Sequence, residues 1–218
     1  DPNLAETAQF NFAKTLYDQE QADKAIVEFE YYLSQYKKGQ FANETKELLA
    51  QAYVNGNNYN KAIEYIEALP NKTPSIEQAY QKATFLKGSE FFNKDQLSEA
   101  LLYFTKSLAY PKDEKYVQRA AFWSGETQSI LKKFTEAAVF YQMSIKAGAG
   151  DLMLLQQAYY GLGYAQYNQK QYDRALNSFR EFINKSNRQS TNYADGLLRL
   201  ADCHFIARNF DEALSFYN

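Results

Sequence analysis

Six alanines recur along the chain at a nearly constant interval, and each has a bulky apolar residue four positions later. These anchor alanines are Ala25, Ala62, Ala100, Ala137, Ala175 and Ala213, so successive copies are 37 or 38 residues apart. The apolar residues are Phe29, Ile66, Phe104, Tyr141, Phe179 and Tyr217. Unrelated helices joined by unrelated loops would not keep such a period, which is typical of a repeat array. Because each repeat in an array packs mainly against its neighbours, we predict one elongated unit.

Two further positions of the repeat predict a helical hairpin. The residue twelve before each anchor is small: Ala13, Ala50, Gly88, Gly125, Gly163 and Ala201. The residue two before each anchor favours the N-cap of a helix: Asp23, Asn60, Ser98, Thr135, Asp173 and Asp211. We therefore predict that a second helix, helix B, begins at the capping residue. The small residues predict that the backbone of a first helix, helix A, approaches helix B closely.

Chain-breaking residues separate the hairpins. They are Gly39, Pro70, Pro74, Pro111, Gly148 and Gly150. The predicted domain is a single all-α solenoid over residues 1–218, with repeats at approximately 6–42, 43–80, 81–117, 118–155, 156–193 and 194–218, the last one truncated. Terminal repeats normally present a polar outer face, whereas this sequence stops just after Phe216 and Tyr217. We expect further repeats, an adjoining domain or a dimer contact to cover that end.

The composition and the rare residue types argue against several functional classes. No run of about 18 uncharged apolar residues is present, so we predict no membrane span in this segment. The net charge is −2 without long blocks of one sign, so nucleic acid is not an expected partner. Cys203 and His204 are the single cysteine and the single histidine, and two adjacent helical residues cannot complete a metal site. With no nucleophile elbow and no phosphate loop, we predict no catalytic residue, no metal and no cofactor.

The repeat resembles the tetratricopeptide repeat (TPR) family over residues 6–218. The shared features are the small residue in helix A, the anchor alanine in helix B and the aromatic or apolar residue four positions later. Two departures are the longer period, since the usual unit has 34 residues, and the missing tryptophan near the start of helix A. Turns such as Tyr172 to Ala175 look most like the bacterial cell-envelope subgroup, which includes outer-membrane assembly lipoproteins and the Tol-Pal coordinator. That likeness favours a periplasmic or outer-membrane-associated protein, and a cytoplasmic scaffold remains open.

The resemblance implies a superhelix whose A helices line a concave groove that holds a peptide or another protein. On helix A, the positions 15, 11 and 8 before each anchor should border this groove, followed by asparagines one residue later. The resulting candidates for partner contact are Phe10, Tyr17, Asn55, Phe85, Phe92, Asn93, Phe122, Tyr160, Tyr164, Tyr167 and Asn168. Aromatic residues often anchor interfaces, although these rings could equally pack between successive A helices. Tyr160, Tyr164 and Tyr167 are the best candidates, because three hydroxyls on one stripe are costly to bury without partners.

Two functional hypotheses follow. The first is a non-enzymatic protein-protein interaction scaffold that binds a peptide or protein partner, because the array has six repeats and no catalytic constellation. The alternative is a helical-toroid enzyme or carbohydrate-binding protein, in which two carboxylates about 5 to 10 Å apart would lie in a central pocket. The strict period argues against this alternative.

Overall fold

The computed structural model describes residues 2–148 and 150–217, which form twelve α-helices and no strand. The A helices are α1 (Pro2–Asp18), α3 (Ala42–Asn55), α5 (Pro74–Phe92), α7 (Glu114–Ile130), α9 (Leu152–Asn168) and α11 (Tyr193–Ile206). The B helices are α2 (Ala22–Gln35), α4 (Tyr59–Ala68), α6 (Leu97–Leu108), α8 (Phe134–Ala147), α10 (Tyr172–Lys185) and α12 (Phe210–Tyr217). In this part of the chain, no helix is both long enough and apolar enough to pass through a bilayer.

The hairpins stack with their A helices in the tighter layer. Each helix packs against the next one in the chain, and α1, α3, α5, α7 and α9 also pack on one another in that order. Successive B helices form no such layer within residues 2–148 and 150–217. The A helices are therefore the inner layer of a curved stack. This arrangement confirms the predicted all-α solenoid of TPR-like hairpins.

The centre of each hairpin is built around the anchor alanine and the ring that follows it. All six anchors are buried, as are the apolar residues four positions later in the first five repeats. In three repeats a Cβ atom on the small residue of helix A would collide with that ring: at Gly88 it would lie 2.6 Å from Phe104, at Gly125 2.8 Å from Tyr141 and at Gly163 2.7 Å from Phe179. The nearest neighbour at these glycines is the ring of helix B, and at Gly88 the added Cβ would also lie 3.2 Å from the main-chain oxygen of Ala100, so the two backbones do approach closely there.

The sixth repeat differs at this position. Tyr217 is 44% exposed, and its hydroxyl donates to the Asp202 carboxylate at 2.7 Å. Unlike the equivalent side chains of the first five repeats, the ring of Tyr217 therefore does not fill the core of its hairpin.

The turn between helix A and helix B is closed by two main-chain hydrogen bonds. In the first repeat the N–H of Glu20 donates to Tyr17 O and the N–H of Gln21 donates to Leu16 O, both at 2.9 Å. This pair of bonds is the Schellman motif, in which one residue adopts a left-handed conformation. The same two bonds recur in all six hairpins, and the left-handed residues have φ between 57° and 63°: Glu20, Asn57, Asp95, Lys132, Lys170 and Arg208.

This turn corrects the predicted start of helix B. The residue that caps α2 is Gln21, whose carbonyl accepts the N–H of Ala25 at 2.9 Å, and its side chain makes no capping bond. Asp23 is the second residue of the helix rather than its cap, and the equivalent residues of the other repeats occupy the same place. The Schellman turn already delivers the chain into the first helical bond, so no side-chain cap is needed. A carboxylate in the first turn still interacts favourably with the helix N-terminus.

Side-chain capping occurs instead on three A helices. The side chains of Thr73, Asp113 and Asp151 accept main-chain N–H groups of α5, α7 and α9 at 3.4, 2.9 and 3.0 Å. These helices start earlier than the sequence pattern indicated. The predicted divisions at 80/81, 117/118 and 155/156 therefore fall inside A helices, and the hairpins begin at residues 74, 114 and 152.

Candidate functional site

Three of the eleven predicted contact residues lie in the core. Phe10 is 3% exposed, Phe85 6% and Phe122 4%. The ring of Phe10 stacks on Phe41 with 4.4 Å between centroids, and the ring of Phe85 contacts Phe104 at 5.9 Å. Their position precedes the small residue of helix A by three, so it lies on the same helix face, which points at helix B. The rings of Phe10 and Phe85 therefore do not line an open groove as predicted, whereas the ring of Phe122 also borders a cavity described below.

The hydroxyls of Tyr160 and Tyr164 have partners within the chain. Both donate to Asp195 on α11, at 2.8 and 2.5 Å. Arg199 Nε in turn donates to the Tyr164 oxygen at 2.9 Å. Burial raises the pKa of Tyr164, so the phenol stays protonated and able to donate. These bonds connect the inner faces of repeats five and six. The two tyrosines were preferred as contact residues because buried hydroxyls need partners, and the structure supplies those partners within the chain.

Two other predicted residues lie apart from the cavities of the inner face. Asn93 is exposed at the end of α5. The ring of Tyr167 packs edge-on against Tyr172 with 5.3 Å between centroids, at the turn of its own hairpin. Asn93 is therefore separate from the other candidates, whereas Tyr167 packs against the same buried cluster as Tyr160 and Tyr164 without lining a cavity with them.

Tyr17 and Asn55 do come together, in a cavity of about 330 Å³ that we call the Asn55 pocket. The Tyr17 hydroxyl donates to Gln51 at 2.8 Å, and Asn55 Nδ2 donates to the Tyr17 oxygen at 3.4 Å. The Gln51 amide donates to Ser75 at 2.8 Å, and Lys82 donates to Asn55 Oδ1 at 3.3 Å. These bonds run from α1 through α3 to α5. The pocket is therefore a polar surface connected across three successive A helices, with Tyr116 of α7 also in its lining.

A second cavity, of about 480 Å³, lies between α7 and α9, and we call it the Glu126 pocket. Its walls include Phe122, Trp123, Tyr160, Tyr164 and Glu126. None of the described residues that line it is lysine, arginine or histidine. The pocket thus combines aromatic surface with a single carboxylate.

The Glu126 carboxylate is held by one hydrogen bond. The Tyr141 hydroxyl donates to Glu126 Oε1 at 2.6 Å. Gly161 makes room for this phenol, because a Cβ atom there would lie 2.5 Å from Cζ of Tyr141. No ion pair in the described parts of the chain includes Glu126. Burial raises the pKa of Glu126, and the hydrogen bond from Tyr141 opposes that shift.

Two predicted residues lie at the margin of this pocket. The half-buried ring of Phe92 packs on Trp123 with 4.9 Å between centroids. Asn168 lines the cavity, and its Nδ2 donates to the Tyr164 carbonyl at 2.8 Å. Phe92 therefore supports one wall of the pocket, and Asn168 forms part of its rim.

Sequence reasoning did not select Glu126, Trp123 or Gly161 as site residues. Glu126 occupies a predicted groove position, eleven before its anchor, but nothing in the sequence distinguished it from other surface carboxylates. Trp123 is the single tryptophan of the chain and follows Phe122 directly. Among the predicted groove positions of repeats three to five, Glu126 is the single acid and the others are aromatic residues and serines, and this was the signal that could have identified the pocket.

The structure gives no second site around the cysteine. Burial raises the pKa of Cys203 to about 11, so the side chain is a protonated thiol in the core. Residues 2–148 and 150–217 contain no group of three or more potential metal ligands.

Comparison with known proteins supports the tetratricopeptide repeat resemblance. Residues 44–69 and 157–186 match two family models, both described as tetratricopeptide repeat. These segments cover most of α3 with α4 and most of α9 with α10. No curated protein matches the sequence significantly.

Solved structures of low sequence identity share the fold. The structure of YrrB, described as a TPR protein with an unusual peptide-binding site, is 16% identical, with 86% of this chain and 88% of that chain covered and a TM-score of 0.55. MamA is 14% identical, with 78% and 90% covered and a TM-score of 0.54. PilF of Pseudomonas aeruginosa is 13% identical, with 99% and 90% covered and a TM-score of 0.52. At these identities the similarity concerns the helical repeat fold and does not extend to function.

Proposed function

We propose that this chain is a non-enzymatic scaffold that binds a peptide or protein segment along its inner face. The observation that carries the proposal is the row of open, chemically distinct surfaces on successive A helices. The Asn55 pocket offers amide, hydroxyl and ammonium groups, and the Glu126 pocket offers rings and a carboxylate. An extended peptide needs such alternating contacts, because its backbone requires hydrogen-bond partners and its side chains require pockets.

The comparisons favour binding over catalysis. TPR proteins generally mediate interactions between proteins, and the repeats here match that family in two segments. YrrB is described as having a peptide-binding site, and we propose peptide binding for this chain by analogy. The helical-toroid alternative is not favoured, because the family models that match describe tetratricopeptide repeats.

We retain the cell envelope as the proposed setting. Its support is the sequence of the hairpin turns, together with a fold shared with PilF at an identity too low to transfer a role. Fractionation of the native cells with an antibody against this chain tests the proposal. Recovery with the periplasm or outer membrane supports it, and recovery with the cytoplasm contradicts it.

We also propose that a further helical hairpin covers the exposed face of α12. Phe210 and Leu214 are 56% and 59% exposed, whereas their equivalents Tyr172 and Leu176 are partly buried in the preceding repeat, where α11 packs on α10. Light scattering of the purified chain tests this proposal. A monomer supports a further hairpin, whereas a dimer that dissociates in Leu214→Glu would favour a second copy.

Selection from a displayed peptide library tests the peptide-binding function itself. The purified chain should enrich peptides whose binding falls at least about fivefold in Asn55→Ala, a change that removes contacts from the inner face. The matched control is Asn177→Ala on the outer helix α10, where the asparagine is also exposed. Failure to enrich any peptide, or equal loss in both variants, would contradict the proposal.

A further inference from the structure

We propose that the Glu126 pocket binds one lysine or arginine side chain of the bound segment, with Glu126 as its counter-ion. This inference rests on the proposed peptide-binding function and specifies the chemistry of one subsite. Its first support is charge. The pocket contains a carboxylate and, among the described lining residues, no basic side chain to neutralise it.

The hydrogen bonding of Glu126 leaves room for such a ligand. Tyr141 is the one donor recorded to the carboxylate among the described residues, and it binds Oε1. The Tyr141 hydroxyl binds Oε1 and the Glu126 side chain lines the open cavity, so a ligand in the cavity can donate to Oε2. A lysine ammonium carries three donors and a guanidinium carries five, so either group can satisfy Oε2.

The walls of the pocket suit a cation as well as its aliphatic stem. Trp123 and Tyr160 present aromatic surface, and a cation within about 6 Å of a ring face is attracted by the ring quadrupole. Tyr164 already interacts in this way with Arg199, whose guanidinium carbon is 5.7 Å from the ring centroid. The methylene groups of a lysine or arginine would cover the remaining apolar surface.

No neighbouring charged side chain described above acts as the counter-ion of Glu126. Arg199, whose guanidinium group lies against the Tyr164 ring, is occupied by the Tyr164 oxygen and by Asp202 at 2.8 Å. Asp195 is occupied by the hydroxyls of Tyr160 and Tyr164. The raised pKa of Glu126 agrees with a carboxylate that is desolvated and has no cation beside it.

Fluorescence of Trp123 provides a direct assay, because this residue is the single tryptophan and lies in the pocket wall. The probes are blocked pentapeptides with a central lysine or arginine between glycines, titrated into the millimolar range. The uncharged analogues contain norleucine or citrulline at the same position. Free lysine amide is titrated in parallel, so that a small amine can be distinguished from a peptide.

Two charge-matched variants accompany the titrations. Glu126→Gln removes the charge while keeping an oxygen for the Tyr141 hydroxyl. Glu136→Gln removes the same charge from the exposed side of α8 in the same repeat. Circular dichroism confirms that each variant is folded before binding is measured.

The lysine or arginine peptide should bind at least about tenfold more tightly than its uncharged analogue, and Glu126→Gln should lose at least about tenfold in affinity. Glu136→Gln should change the affinity by less than about twofold. Equal binding of charged and uncharged peptides, or an unchanged affinity in Glu126→Gln, would overturn the inference. A free amine that binds as tightly as the peptide would also overturn it. If library peptides still bind through Asn55 in any of these cases, the proposed function stands and the pocket assignment alone fails.

Discussion

The side-chain amide of Gln81 holds both polar groups of the Asp113 main chain. Gln81 Oε1 accepts the N–H of Asp113 at 2.8 Å, and Gln81 Nε2 donates to the Asp113 carbonyl at 3.1 Å. The same Oε1 also accepts the N–H of Lys112 at 3.1 Å. Gln81 is fully buried in α5, whereas Asp113 caps α7. One glutamine therefore fixes where the next repeat begins.

Replacement of Gln81 by methionine should destabilise the protein. The change keeps the length of the side chain but removes three hydrogen bonds, and main-chain groups at the connector lose their partner. We expect a cost of about 2 to 4 kcal/mol in the free energy of unfolding, measured by urea denaturation. The control is Gln78→Met, one turn earlier and exposed, which should cost less than about 0.5 kcal/mol. Similar small costs for both variants would show that the connector does not depend on Gln81.

Glu126→Gln should raise the melting temperature at neutral pH. Burial raises the pKa of Glu126 above its value in the unfolded chain, so the folded state takes up a proton more readily than the unfolded state. The ionised carboxylate therefore destabilises the fold above its folded-state pKa. As the pH falls through that pKa, wild type should approach the variant, and the difference in melting temperature should shrink. A variant less stable than wild type at pH 7 would mean that Glu126 is a structural residue.

Lys132→Gly should leave the stability unchanged or increase it by up to about 1 kcal/mol. Lys132 has φ of 58° in the turn between α7 and α8, a conformation that costs a side-chain-bearing residue about 1 to 2 kcal/mol. Glycine avoids this cost but loses more backbone entropy on folding, by about 0.5 to 1 kcal/mol. Lys132→Val at the same site should instead be destabilising by about 1 to 2 kcal/mol, because branching at Cβ worsens the strain. The melting temperature of Lys132→Val should therefore fall while that of Lys132→Gly stays the same or rises, and an identical shift in both variants would contradict the prediction.

Gly163→Ala should destabilise the fifth hairpin by about 1 to 3 kcal/mol through overpacking. The added methyl group would lie 2.7 Å from the ring of Phe179, which is fully buried. The double variant with Phe179→Leu should recover part of this loss, since the smaller side chain no longer meets the methyl group. A double-mutant cycle measures the coupling between the two positions. Strictly additive effects would indicate that the ring moves away without cost.

The fold could be predicted because its determinants recur. Every repeat has residues equivalent to Ala175 and Phe179, so an error in assigning one residue does not change the predicted period. The helix ends were harder to predict, because the Schellman turn places a charged residue such as Lys170 where glycine is the usual signal. Thr73 and Asp113 were not recognised as caps, since their role depends on the long A helices that follow.

The candidate site was less predictable because it depends on contacts between repeats. Whether Tyr160 faces a partner or the chain itself is decided by Asp195, 35 residues later. Tyr17 and Asn55 were predicted separately from their places near the end of helix A, and they lie together because the ends of adjacent A helices align. Glu126 could not be distinguished from other surface carboxylates by its sequence. The absence of a basic side chain among the described residues beside it becomes evident only when the lining of the cavity is known.

Along one edge of the solenoid, the turns that contain the left-handed residues change from acidic in the first repeat to basic in the last three repeats. All six are exposed, and they follow one another along the axis once per repeat. The first turn carries the acids Asp18 and Glu20, and Asp95 is offset by Lys94 in the third. The last three turns carry basic residues: Lys132 with Lys133, Lys170, and Arg208. At low ionic strength, when screening extends beyond about 10 Å, a charged molecule approaching this edge would experience opposite fields at its two ends. The charges of the turns thus make the N-terminal and C-terminal ends of this edge different, although the repeats share the same hairpin structure.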